Sequence, residues 1–216
     1  GYPLLIKASA GGGGRGMRVV EGAADLDGAV EGARREAGSA FGDDTIYLEK
    51  LVVEPRHVEI QVLGDHHGTV VSLGERDCSL QRRNQKVVER AAAPYLTEQQ
   101  RAEVCELALR ICRHAKYECA GTVEFLVDKQ ENIYFIEVNP RIQVEHTVSE
   151  EVSGIDLMKE QIRVAAGEKL SFTAFVVKSF AETTTIGIDL SMSSPRIVSI
   201  TVNPSTSGII KSVITR

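Results

Sequence analysis

The segment Gly121 to His146, GTVEFLVDKQENIYFIEVNPRIQVEH, constrains the fold of this chain more than any other stretch. Two runs rich in β-branched and aromatic residues, Thr122 to Asp128 and Ile133 to Val138, flank the polar turn Lys129-Gln130-Glu131-Asn132, the pattern of an antiparallel hairpin. If Asp128 pairs with Ile133, Glu124 lies directly across from Glu137 with Cβ atoms about 5 Å apart, a placement that like charges disfavour. A divalent cation between them turns that repulsion into ligation. Carboxylate oxygens with no Cys or His nearby favour a hard ion, Mg2+ or Mn2+, and the period-two alternation of a strand brings Asn139 to the face of Glu137. Glu124, Glu137 and Asn139 are therefore the expected metal ligands. Single acids on strands commonly just face water, but Phe125-Leu126-Val127 and Tyr134-Phe135-Ile136 are too apolar for a free surface hairpin.

With 216 residues, 43% apolar and 25% charged, the chain can bury a core in one or two domains. A net charge of −5 argues against a general affinity for nucleic acid or anionic membrane, so the run Arg82-Arg83-Asn84-Gln85-Lys86 reads as a local anion site. Cys78, Cys105, Cys112 and Cys119 contain no C-x-x-C pair; buried free thiols and a reducing compartment are expected. No apolar stretch approaches the roughly 20 residues of a membrane span, and no charged region followed by an apolar one opens the chain. Tyr2 to Lys7 is strand-like at once, as in a fragment.

Leu4 to Ala8 and Met17 to Val20 read as strands around a glycine-rich loop, and Asp25 is placed to cap a short Ala-rich helix stopping near Gly38. Thr45 to Leu51 is another strand. His57 to Leu63 alternates, with Val58, Ile60 and Val62 on one face and His57, Glu59 and Gln61 on the other, before Gly64 to Gly68 turns the chain into Thr69 to Leu73. Thr97 and Gln100 form a capping box for a helix striped by Val104, Leu107, Ala108 and Ile111, and Asp156 can cap a helix ending at Gly167. His66, His67, His114 and His146 have no evident partner. From Ser171 the composition shifts: 16 of the last 46 residues are Ser or Thr and six are charged, which suggests strands or an irregular tail.

Gly11, Gly13 and Gly16 satisfy G-x-G-x-x-G, but a strand rather than a helix follows, and no Gly-Lys-Ser/Thr is present, so neither a dinucleotide fingerprint nor a Walker loop is formed. The loop reads as a flap whose backbone N–H groups face nucleotide phosphates, with charge from Lys7 and Arg15. Protein kinases use such a flap too, yet His-Arg-Asp and Asp-Phe-Gly are absent.

GGGGRGMRVV, EPRHVEIQVLGD, ERDCSLQRRNQKVVE, GTVEFLV and FIEVNPRIQVEHTVSE, in this order, resemble the ATP-grasp region of biotin carboxylase from Gly1 to about Leu170. Asn84 in QRRNQKVVERAAAP and Pro140 in FIEVNPRIQVEHTV bring the resemblance nearer to the biotin carboxylase domain of pyruvate carboxylases. It implies an α+β ATP-grasp fold: a glycine-rich lid part over 1–50, a core with the metal and bicarbonate site on an antiparallel sheet over 51–170, and a divergent segment over 171–216. The implied activity is a ligase reaction in which ATP and bicarbonate form carboxyphosphate and its CO2 is captured by biotin on a carrier domain. The implied partners are that biotin carboxyl carrier domain and a carboxyltransferase domain, in a homo-oligomer of the bacterial cytoplasm or the mitochondrial matrix.

By the same resemblance Lys7 contacts ATP phosphates, Gly11, Gly12, Gly13 and Gly14 form the mobile loop, and Glu49, Lys50, Leu51 and Val52 form the adenine hinge. His57 and Gln81 fall near the ribose. Asn84 stands where many members have a histidine; it can donate a hydrogen bond but carries no charge. Lys86 lies beside the γ-phosphate and bicarbonate. Arg141, Gln143 and the backbone of Val144 clamp bicarbonate, which Glu145 deprotonates as general base, and Glu124, Glu137 and Asn139 coincide with the family's metal ligands. A guanidinium fork suits a planar anion, and a base must reach the proton it takes. The resemblance does not extend to the family's N-terminal subdomain or to its biotin-enolate arginine, a role given to neither Arg196 nor Arg216. The rival readings are another ATP-grasp carboxylate ligase, opposed by RIQVEH and ERDCSLQRRNQK, and a non-enzymatic ATP-binding module.

Overall fold

A computed structural model describes residues 1–11, 16–82 and 85–172, and the backbone of strands at 184–189, 196–201 and 211–214. The chain divides into two compact units, Gly1–Glu54 and Pro55–Arg216.

In the first unit, β1 (Leu4–Ala8) lies between β2 (Arg18–Val20) and β3 (Ile46–Lys50), antiparallel to both. Helix α1 (Ala23–Phe41) packs its buried Ala33 against Ile6 and Val20, with Leu26, Val30 and Ile46 around them. This helix corrects the sequence reading. It continues past Gly38, Asp25 lies in its first turn, and its N-cap is Gly22, which lends no side chain. An interior glycine costs only about 1 kcal/mol relative to alanine, less than the apolar burial on either side contributes. The left-handed Gly42, at φ 74°, ends the helix by donating its N–H to Gly38 O at 3.1 Å.

The second unit is an antiparallel eight-stranded sheet in the order β11-β10-β9-β6-β5-β4-β7-β8. Its strands are β4 (Arg56–Gly64), β5 (Val70–Arg82), β6 (Gln85–Ala91), β7 (Cys119–Val127), β8 (Ile133–Asn139), β9 (Thr184–Asp189), β10 (Arg196–Thr201) and β11 (Lys211–Ile214). Helix α2 (Glu98–His114) begins at the expected Thr97–Gln100 capping box and packs Val104, Ala108 and Cys112 against Val58, Ile60 and Val62 of β4 and Val123 and Phe125 of β7. The apolar half of β4's alternation thus builds the core. Its polar half is buried as well, with Glu59 and Gln61 fully enclosed. Helix α4 (Leu157–Ala165) is capped by Asp156, whose carboxylate accepts from Lys159 N at 2.8 Å. Helix α3 (His146–Ser153) has no counterpart in the sequence reading.

The hairpin β7–β8 forms, with a correction of register. Val127, not Asp128, faces Ile133, and the pairing slips between Glu124 and Phe125, so that Glu124 still lies opposite Glu137. Asp128 is withdrawn into the turn, where its carboxylate accepts from the backbone of Gln130 and Asn132. Among the described residues no helix is long and apolar enough to cross a membrane.

Candidate active site

Strand pairing sets three acids in one row across the sheet: Glu59 on β4 faces Glu124 on β7, which faces Glu137 on β8. Glu59 and Glu124 are 0% and 3% exposed, a placement whose desolvation and mutual repulsion demand cations. Lys86 of β6 supplies one. Its ammonium donates to Glu59 Oε2, to Glu124 Oε1 at 3.0 Å and to Glu145 Oε1 at 2.6 Å. Arg76 of β5, fully buried, supplies the other: Nε reaches Glu59 Oε1 at 2.6 Å, and Nη1 reaches Gln61 Oε1 and Ser149 Oγ, each at 2.7 Å.

These contacts decide the protonation states. Burial opposes the charge of Glu124, but the His57 hydrogen bond and the Lys86 ammonium overcome it and hold the carboxyl well below its ordinary range. Burial likewise opposes the Lys86 ammonium, and Glu59 with Glu124 pushes its pKa far above the ordinary lysine value. Glu89, 3% exposed on β6, is driven the other way, pushed up to about 7 by burial and by the nearby charges of Glu145 and Glu59.

Of the expected anion-binding residues, Gln143 and Glu145 reach the same cluster. Gln143 is 8% exposed; its Nε2 donates to Glu124 Oε1 at 3.1 Å, while its buried Oε1 has no partner among the described residues. Glu145 sits at the N-cap of α3, turned toward Lys86. Arg141 is exposed, donates Nη1 to Ile142 O at 3.2 Å, and has no carboxylate partner among the described residues. Val144 is exposed, leaving its neighbourhood open to solvent.

Asn139, the third expected ligand, lies beside both acids: its Nδ2 is 2.8 Å from Glu124 Oε1 and 3.4 Å from Glu137 Oε1. The expectation of no nearby histidine fails: His57 Nε2 is 2.7 Å from Glu124 Oε2, and its Nδ1 is 2.7 Å from Gln81 Nε2. Both ring nitrogens of His57 are thus engaged, Nε2 by the Glu124 carboxylate and Nδ1 by the Gln81 amide. Ligand atoms of His57, Glu59 and Glu124 lie within 4.8 Å of one another. Three of the other four histidines also find partners, contrary to the sequence reading. His66 Nδ1 meets Glu118 at 2.7 Å, His67 Nε2 meets Gly167 O at 3.0 Å, and His146 Nδ1 meets Gln143 O at 2.8 Å.

In the first unit, Lys7 pairs with Glu49 at 2.6 Å, Gly11 N donates to Ala8 O at 3.0 Å, Lys50 is exposed and Val52 half-buried. Gly12, Gly13, Gly14, Arg15 and Asn84 lie outside the described residues. Sequence reasoning missed Glu59 and Arg76 as site residues. The available signal was Glu59's place on the polar side of a strand that proves buried on both faces; Arg76 carried none. A separate open cavity of about 740 Å³ is floored by Phe125, Ile133 and Phe135. Alternation along β7 puts it on the other side of the sheet from Glu124.

Residues 1–173 match the carbamoyl-phosphate synthase L chain, ATP binding domain. The chain belongs to this ATP-binding family. It is 55% identical over 172 residues to the biotin carboxylase of Allochromatium vinosum, covering 80% of this chain and 38% of that protein. It is also 55% identical over 170 residues to pyruvate carboxylase 1 of Caenorhabditis elegans, covering 79% of this chain and 14% of that protein. Among solved structures it resembles the biotin carboxylase domain dimer of Hydrogenobacter thermophilus 2-oxoglutarate carboxylase in complex with MgADP, ADP and bicarbonate. The TM-score is 0.82 at 48% identity, covering 87% of this chain and 41% of the other. The chain therefore spans well under half the length of the relatives it matches.

Proposed function

We propose that this chain carries the ATP- and bicarbonate-handling centre of a biotin carboxylase within a pyruvate carboxylase-like enzyme. The observation that carries the reading is the meeting of Lys86 with Glu59, Glu124 and Glu145, next to the unpartnered Gln143 Oε1. A buried acceptor without a donor among the described residues is costly, which favours a polar ligand beside it.

In this reading Glu145 takes the bicarbonate proton. The oxygen so freed bonds to the γ-phosphorus of ATP as ADP departs, giving carboxyphosphate, which separates into phosphate and CO2. Biotin N1′, held on a carrier domain, loses its proton and bonds to that CO2, ahead of transfer by a carboxyltransferase domain. Lys86 compensates charge developing on the phosphoryl and carboxylate oxygens, Arg141 offers its fork to the anion, and Gln143 and the Val144 backbone orient it.

The donors fit a hard divalent cation: Glu124 and Glu137 offer oxygens, and rotating the Asn139 amide would turn its oxygen to the site. Such an ion, Mg2+ or Mn2+, would supply Lewis-acid polarisation of phosphoryl oxygens. In the first unit, Lys7 and the Gly11–Gly14 loop are assigned to phosphates and Glu49, Lys50 and Val52 to adenine; in the second, Gln81 and Asn84 are assigned to nucleotide, and His57 holds Glu124. The enzyme is assigned to the bacterial cytoplasm or the mitochondrial matrix as a homo-oligomer, in keeping with the dimer named above.

The test is phosphate release from ATP with and without bicarbonate and free biotin, on this chain and on the full-length protein that carries it. Release that requires bicarbonate and rises with biotin in the full-length protein supports the reading. ATP binding with no bicarbonate-dependent release would make it an ATP-binding module, and stimulation by another carboxylate a different ATP-grasp ligase.

A further inference from the structure

Arg76 holds a place in the site that neither its motif nor the reaction explains. It is the largest fully buried side chain among the described residues, and its guanidinium joins three elements: β5, which carries it, β4 through Glu59 and Gln61, and α3 through Ser149. Four residues before Ser149 the same chain presents Glu145, whose carboxylate reaches Lys86. Glu59 divides its oxygens between the cations, Oε1 to Arg76 and Oε2 to Lys86. Arg76 is thus one contact from Lys86 along β4 and linked through α3 to the element that starts at Glu145.

The charge count around Lys86 shows what this does. Lys86 faces three carboxylates, Glu59, Glu124 and Glu145, and alone would be fully engaged by them. A second buried cation on Glu59 takes up part of its charge and fixes the carboxylate that holds the lysine. Resting on the function proposed above, we infer that Arg76 is a positioning residue for bicarbonate: by neutralising and pinning Glu59 it keeps the Lys86 ammonium in place for the anion. In this assignment Arg76 acts through Glu59 and Ser149; its buried Nη2 has no partner among the described residues.

The pairing makes a compensating substitution the decisive experiment. In the full-length protein, Arg76→Met strands the Glu59 charge; the KM for bicarbonate should rise about tenfold or more while Mg-ATP affinity by calorimetry stays within about threefold. Adding Glu59→Gln removes the stranded charge and should recover most of that bicarbonate affinity. Arg76→Lys, which keeps the charge and loses the fork, should fall between. Because Arg76→Met leaves a buried carboxylate uncompensated, Arg76→Lys, which keeps the charge, is the fallback should that variant fail to fold, and its KM for bicarbonate must then rise while Mg-ATP affinity stays within about threefold.

Equal losses of bicarbonate and Mg-ATP affinity, an unchanged KM, or a double variant no better than Arg76→Met would overturn the inference. A Lys86→Met control separates this from the parent reading. If the unsubstituted protein shows no bicarbonate-dependent ATP cleavage, or Lys86→Met retains it, the proposed function fails. If both controls behave and the Arg76 series does not, only the positioning role fails.

Discussion

Glu124 is the residue on which the rest of the site turns, since one carboxylate receives His57 on Oε2 and Lys86, Asn139 and Gln143 on Oε1. Glu137, across from it, is exposed and touches the cluster through Asn139, so its charge matters mainly when a cation is present. Glu137→Gln should therefore weaken Mg-ATP binding far more than metal-free nucleotide binding in calorimetric titrations; equal losses would remove it from the ligand set. Glu89 offers a different test, because its pKa in the fold, about 7, lies above the ordinary glutamate value. A raised carboxyl binds its proton more tightly folded than unfolded, so its contribution is fully present below the unfolded pKa and is lost as pH rises through about 7. Glu89→Gln should flatten the fall in denaturation midpoint between roughly pH 5 and 8, an effect of at most about 3 kcal/mol. A pH profile identical to the unsubstituted protein would contradict it. At this scale the facing of Glu124 and Glu137 was legible, because hairpin partners are close in sequence. Glu59 opposite Glu124 was not, because 65 residues separate the two and only the β4–β7 pairing brings them together.

Among the elements, the turn between β4 and β5 shows how one side chain can fasten distant segments. Buried Asp65 accepts from the backbone of His67 and Thr69 on Oδ1, each at 2.9 Å, and from Leu170 on Oδ2 at 3.1 Å, while His67 reaches Gly167 O. Burial alone would raise the Asp65 pKa, but these backbone donors, Leu170 first, lower it. Its contribution is thus present above the ordinary aspartate range and lost as pH falls below it. Asp65→Ala leaves three N–H groups to find other partners and should cost about 2–4 kcal/mol in denaturant unfolding. A change within about 0.5 kcal/mol would show the clasp to be incidental. The helices were legible in proportion to their local signals. Thr97 with Gln100 fixed the start of α2, and Asp156 that of α4. The short α3 lacks a side-chain cap, and α1 ignores Gly38 because packing of Val30, Ala33 and Ala37 outweighs a local preference. The bulge in β7–β8 left no mark in the residue pattern, since slipping one position exchanges Asp128 for Val127 without changing which acids meet.

Across the whole molecule, the buried charge among the described residues is mostly acidic, with Arg76 fully enclosed among the carboxylates. In the second unit the fully buried Arg76 and the partly buried Lys86 are held among Glu59, Glu124 and Glu145, an arrangement that stability alone does not favour. Family membership and an α+β architecture with antiparallel sheets follow from the matched region. The strings around RIQVEH carried that resemblance, whereas the Ser/Thr-rich residues from 171 onward gave no comparable signal. The central claim is that the acid–lysine network acts on bicarbonate and not merely on nucleotide, and Glu145 is the member that separates the two. In the full-length protein, Glu145→Gln should leave Mg-ATP affinity within about threefold while lowering bicarbonate-dependent ATP cleavage by roughly 100- to 10,000-fold, the range for loss of a general base. Cleavage that persists within a few-fold of the unsubstituted protein, with Mg-ATP still bound, would contradict the account.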